Sequence, residues 1–191
     1  MTENPHHHSD AESLSHIDTV NRGKWLRVDD LIAESGVAEG MTCIDLGCGG
    51  GALAIPLAEK LGKQGRVYAV DISEKIIQRL KDKNPPENLV AVVADTADTW
   101  LESSIADYCF IVLVLHEVDA SATLVEAYRM LKPGGRVVSM EWRTDNELIG
   151  PRHGQKKISK EEMEQLYRQA GFSDYADKDW TKGQYISSGI K

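Results

Sequence analysis

Ile44-Asp45-Leu46-Gly47-Cys48-Gly49-Gly50-Gly51 is an apolar strand end that runs straight into a glycine-rich turn, and residues 52–61 after it have helical spacing despite Pro56. Strand, glycine turn and helix together make the first half of a strand-helix-strand unit. Glycines at 47, 49, 50 and 51 let the backbone turn sharply and approach a ligand, because no Cβ stands in the way. Alone, the turn reads equally well as a tight connection, so its meaning depends on its surroundings.

Downstream, apolar runs at 66–71, 89–95, 108–115 and 136–142 alternate with amphipathic stretches. Ser73 is placed to cap a helix that sets Ile76, Ile77 and Leu80 on one face. Residues 121–131 put Leu124, Tyr128 and Leu131 on one face and stop before Pro133-Gly134-Gly135. Ser159 and Glu162 form a capping box for a helix lined by Met163, Leu166, Tyr167 and Ala170 and ended by Gly171. This alternation predicts an α/β fold, a mostly parallel sheet covered on both faces. The pieces at 173–176 and 184–190 have no helix between them, which predicts an antiparallel edge.

Upstream, residues 17–35 read as a helix carrying Leu26, Leu31 and Ile32 and ended by Gly36. Residues 1–16 are polar and read as a flexible arm, leaving 17–191 as a single domain. Its run His6-His7-His8 assigns no metal site, since adjacent side chains on an extended arm point in alternating directions.

The 191 residues leave room for one such domain, and 41% hydrophobic with 27% charged residues excludes disorder throughout. A formal charge of −8 disfavours nucleic acid and anionic lipid as partners. Cys43, Cys48 and Cys109 form no CxxC pair and read as apolar fillers, against a zinc cluster or a soft-metalloid site. The longest apolar run, 108–115, is far below the ~18–20 residues that cross a bilayer, and no signal sequence opens the chain. A cytoplasmic protein is expected.

Ligands of parallel sheets bind beyond the carboxyl ends of the strands, so the strand exits carry the chemistry. At the second exit Asp71 stands 20 residues after Gly51, placed to accept from vicinal ribose hydroxyls, with Ile72 beside it to cover an adenine face. The third exit adds Asp95 and Thr96, where a carboxylate can accept from an exocyclic amine. Gly47, Gly49 and Ala52 also satisfy a relaxed dinucleotide fingerprint, which keeps an NAD(P)-dependent oxidoreductase as an alternative. Asp45 weighs against it. A carboxylate two residues before the first glycine repels a pyrophosphate and attracts an α-amino group or a sulfonium.

These stretches, with Val-Asp-Ile-Ser at 70–73, Ala-Asp-Thr at 94–96, Leu-Lys-Pro-Gly-Gly-Arg at 131–136 and Gln-Ala-Gly-Phe at 169–172, resemble the ordered motifs of class I S-adenosylmethionine-dependent methyltransferases. The branch it is similar to contains ubiquinone- and menaquinone-biosynthesis enzymes. That resemblance implies a Rossmann-like three-layer sandwich with a seven-stranded sheet and an antiparallel last strand. It implies S-adenosylmethionine as cofactor, held by Asp45 and the turn Gly47, Cys48, Gly49 and Gly51 at its methionine part, by Asp71 and Ile72 at the nucleoside, and by Asp95 with Thr96 at the adenine. Leu115 and His116 would lie along the methionine part and face the acceptor.

Methyl transfer from a sulfonium needs an in-line acceptor and exclusion of water, and a general base only when the acceptor is protonated. His116 is the base candidate, following an apolar strand with Glu117 beside it. Trp142 can flank a flat acceptor at the fifth exit. Arg152, His153, Lys156 and Lys157 make the 143–158 loop locally basic and point to an anionic acceptor, and Trp25 belongs to a segment that can fold over the site. The expected function is methyl transfer to a small-molecule acceptor. A module that binds the cofactor without turnover is the other alternative.

Overall fold

The computed structural model describes residues 26–146, 149–151 and 155–191. Residues 1–25, with the expected arm, the start of the first helix and Trp25, lie outside them, as do Arg152 and His153.

The five apolar runs become five parallel strands: β1 (Thr42–Leu46), β2 (Arg66–Asp71), β3 (Leu89–Val93), β4 (Ala106–Val112) and β5 (Leu131–Trp142). β6 (Ser173–Asp179) and β7 (Gln184–Ile190) complete a seven-stranded sheet in the order β3-β2-β1-β4-β5-β7-β6. β7 alone runs against the rest, pairing antiparallel with both β5 and β6. The last strand is antiparallel as expected, but it is not the edge. Buried Gln184, Tyr185, Ser187 and Gly189 make β7 a strand covered on both faces, whereas β6, Ser-Asp-Tyr-Ala-Asp-Lys-Asp, carries the charge that keeps a sheet edge from pairing further.

Helix α1 (Val28–Ser35), α2 (Ala54–Leu61) and α3 (Glu74–Asp82) pack through Leu31, Ile32, Leu57, Leu61, Ile77 and Leu80 on one sheet face. On the other, α4 (Ala120–Met130) and α5 (Lys160–Gln169) bury Leu124, Ala127, Met130, Met163 and Tyr167. The helix read over 17–35 is interrupted at Arg27, whose φ is 53°, its residues 17–25 lie outside the described ones, and Gly36 ends α1 at φ 85°. Ser159 caps α5 by accepting from Glu162 N–H at 3.2 Å, while the Glu162 carboxylate turns to Lys156. Asp119, unread in the sequence, caps α4 by accepting from Ala122 N–H. Ser73 occupies the cap position of α3 without a side-chain cap bond, and its own N–H donates to Asp71 Oδ1. Strands β3 and β4 stop earlier than their apolar runs, so residues 94–95 and 113–115 form the turns at the sheet's carboxyl end.

Candidate active site

Five strand exits lie at the carboxyl end of the sheet. At the first, Gly47, Gly49 and Gly51 all adopt left-handed φ, at 73°, 52° and 82°. Gly47 and Cys48 donate their N–H groups to Val70 O at 2.8 and 2.9 Å, tying the turn to the end of β2. Gly49 N–H donates to Asp71 Oδ2 at 3.0 Å and Ser73 N–H to Asp71 Oδ1 at 2.9 Å, so both carboxylate oxygens are oriented by backbone. Burial pushes the Asp71 carboxyl up, against the two amide bonds that lower it, and the nearby charge of Glu117 raises it further. The side chain of Ile72 beside it is 70% exposed, unusual for a large apolar residue.

Asp45 is buried beneath the turn at 2% exposure. Burial pushes the Cys48 thiol far up and the charges of Asp45 and Asp71 add to this, so Cys48 is an inert thiol facing two carboxylates. Cys43 and Cys109 are likewise buried and raised. Among the described residues no cluster of three or more His, Cys, Asp or Glu has the arrangement of a metal site.

At the third exit Asp95 is exposed and its Oδ1 accepts from Ala97 N–H at 2.9 Å. Thr96 turns inward, sharing a 3.0 Å hydrogen bond with Thr123 on α4, so its hydroxyl serves packing. The fourth exit is the most strained. Leu113 holds a left-handed φ of 56° although it is not glycine, and such positions persist only where the surroundings enforce them. Leu115 sends its side chain into the core at 1% exposure, so only its backbone can meet a ligand.

His116 sits between two carboxylates. Its Nδ1 is 2.8 Å from Glu141 Oε2 and its Nε2 3.5 Å from Glu117 Oε1, with side-chain exposures of 3% for His116, 0% for Glu141 and 56% for Glu117. Burial lowers the imidazole pKa, but the hydrogen bonds and charges of Glu117 and Glu141 outweigh it and raise it to about 9. Trp142, buried beside it, meets the imidazole edge to face at 6.4 Å between centroids. Glu141 was not singled out in the sequence. Its signal was the lone acidic residue of β5, set between Met140 and Trp142.

Lys157 Nζ donates to the carbonyls of Arg143, Asn146 and Ile149 at 3.0, 2.5 and 2.7 Å, so its charge goes into holding the loop. Lys156, its side chain 76% exposed, makes a surface pair with Glu162 at 2.6 Å.

The family model described as a methyltransferase domain matches residues 38–186, from before the glycine turn into the last strand. A demethylmenaquinone methyltransferase of Oceanobacillus iheyensis is 29% identical over 199 residues, covering 96% of this chain and 83% of that protein. One from Staphylococcus aureus is 35% identical over 113 residues, 58% of this chain and 47% of that protein. The chain thus spans about half the length of the Staphylococcus relative. Among solved structures, a SAM-dependent methyltransferase from Aquifex aeolicus superimposes with a TM-score of 0.86 at 22% identity, covering 95% of this chain and 98% of that one. A phosphoethanolamine N-methyltransferase of Haemonchus contortus in complex with S-adenosyl-L-methionine gives 0.78 at 16% identity, covering 94% and 56%. At these identities the structures speak for the fold.

Proposed function

The chain belongs to the methyltransferase domain family, and from that membership we propose that it methylates a small flat acceptor of quinone type. It is a class I S-adenosylmethionine-dependent methyltransferase, which settles the choice against a nicotinamide oxidoreductase. The match of the family over residues 38–186 carries the activity. Support for the acceptor comes from the names of its relatives, demethylmenaquinone methyltransferases, together with Trp142 and His116 at the fifth and fourth strand exits.

The residues at the exits fit the cofactor. Asp71 is fixed through both oxygens by backbone amides, and each oxygen retains accepting capacity for the ribose hydroxyls. Ile72, 70% exposed, offers the adenine an apolar face, and exposed Asp95 can accept from its amino group. The left-handed backbone of Gly47, Gly49 and Gly51, with Asp45 beneath, suits the cationic methionine part. When bound, S-adenosylmethionine supplies a methyl group on a sulfonium, whose S–C bond breaks with its electron pair left on sulfur as the acceptor's pair forms the new bond. Positioning and water exclusion are what the protein adds.

A thermal-shift titration with S-adenosylmethionine, S-adenosylhomocysteine and NAD(P)H, on wild type and Asp71→Ala, tests the cofactor site. Ligand at ~100 times its Kd stabilises by ~2.7 kcal/mol. A shift from the adenosyl-sulfur ligands alone, lost in Asp71→Ala, is expected. Transfer of labelled methyl to a naphthohydroquinone then tests the acceptor, and transfer to amines but not to hydroquinones overturns that part.

A further inference from the structure

Glu141 is a carboxylate without exposed surface whose Oε1 has no hydrogen-bond partner among the described residues. Its Oε2 meets His116 Nδ1 at 2.8 Å and, weakly, Trp142 N–H at 3.4 Å. A buried carboxylate rests beside a neutral imidazole only where other donors hold it, and among the described residues the long Trp142 N–H contact is the one donor besides His116. The geometry therefore favours a proton on both nitrogens of His116. Nδ1–H then points at Glu141 and Nε2–H at Glu117, whose side chain, more than half exposed, stands at 3.5 Å.

We propose that Glu141 and His116 form a buried ion pair whose Nε2–H binds an ionised oxygen of the acceptor, so that the site selects phenolate or enolate acceptors over neutral amines. This rests on the methyltransferase reading above. Glu117 occupies the Nε2–H until an acceptor oxyanion replaces it, a cheap exchange because its side chain is largely solvated. His116 is then a donor that keeps its proton, the opposite state from that of a base, and Glu141 is the positioning residue that keeps it charged. The balance is complete without a protein base. The acceptor hydroxyl loses its proton to solvent, its oxygen or the conjugated ring carbon supplies the electron pair for the new bond to methyl, the pair of the broken bond stays on sulfur, and after attack through carbon the hydrogen on that ring carbon leaves to solvent as a proton. Among the described residues, the charged and titratable groups around the imidazole are Glu141 from β5, Glu117 from its own turn and, beyond Glu141, Tyr185 of β7, whose hydroxyl donates to Ile158 O. Asp71 acts at one remove, through Glu117.

The first test is the pH titration of the His116 ring by NMR, assigned by its absence in His116→Asn. In wild type the ring is expected to stay imidazolium through neutral pH, and in Glu141→Gln to become neutral there. A neutral ring in wild type at pH 7, or a titration that Glu141→Gln does not move, overturns the proposal. The second is binding of 4-nitrophenol to protein saturated with S-adenosylhomocysteine, read by phenolate absorbance. Wild type is expected to enrich the phenolate by at least about tenfold over His116→Asn, equivalent to one pH unit. Equal enrichment overturns the proposal. Stabilisation by S-adenosylhomocysteine is measured on every variant, and the phenolate comparison is made at saturation of each. If wild type itself shows none, the methyltransferase reading fails, while the ring titration still decides the ion pair. If Glu141→Gln does not fold, the wild-type titration and His116→Asn carry the decision.

Discussion

A methyl group placed on Gly47 would lie 2.3 Å from Val114 Cγ2, so the glycine turn after β1 and the strained turn after β4 are in contact with no room between them. Gly47→Ala therefore meets two obstacles, a left-handed φ of 73° and a clash. A loss of about 2–4 kcal/mol is expected, with loss of S-adenosylhomocysteine binding. Gly134 is the control, since its φ is 79° with nothing within 4 Å of an added Cβ. Gly134→Ala should cost about 1 kcal/mol and leave binding intact. Chemical denaturation and calorimetric titration read both.

Asp71→Ala strips the acceptor from the Gly49 and Ser73 amides at once. A destabilisation of about 1–3 kcal/mol is expected together with loss of cofactor binding. Asp71→Asn keeps one carbonyl acceptor and should retain most of the stability while binding at least about tenfold more weakly, since neutral acceptors make weaker bonds than charged ones. If Asp71→Asn binds like wild type, the ribose role of Asp71 is wrong.

The pH profile of stability has two limbs of opposite sign. His116 is raised from 6.5 to about 9, so its contribution is complete below about pH 6.5 and disappears as pH rises through 9. Glu126 is lowered from 4.5 to about 2; burial opposes this, and the bonds from Arg129 and Thr99 prevail. Its contribution is complete above about pH 4.5 and disappears as pH falls towards 2. Urea midpoints across pH should show both, Glu141→Gln should flatten the alkaline limb, and Glu126→Gln the acid one.

Lys157→Met removes the ammonium that gathers three carbonyls of the loop after β5. Faster limited proteolysis within 143–151 and a loss of about 1–3 kcal/mol are expected. Lys156→Met loses only an exposed pair and should stay within about 0.5 kcal/mol of wild type.

The parallel sheet was legible because each apolar run has a single sequence meaning, and β1 and β2 fall on the expected residues. The order of the last two strands was not, since nothing local in 173–190 says which of two antiparallel neighbours reaches β5 first. That choice is made by burial, which Tyr185 and Gln184 satisfy and the acidic β6 does not. At the site, Asp71 and the glycines announce themselves by spacing. For Thr96 and Leu115 the sequence left the direction of the side chain open, because adjacency to a strand exit does not tell which way a side chain turns. The pairing of His116 with Glu141 crosses 25 residues and two strands, and only the sheet brings them together.

The insertion of β7 between β5 and β6 also orders assembly. β6 contacts the sheet only through β7, and β7 reaches β5 only after the loop and α5 have been traversed. The two strands form a local hairpin, which closes in microseconds, whereas docking that hairpin on β5 joins segments far apart in sequence and is slower. Gln184 and Tyr185 arrive opposite Trp142 and Glu141 in that docking event. A chain caught before hairpin docking would therefore have Glu141 still facing water.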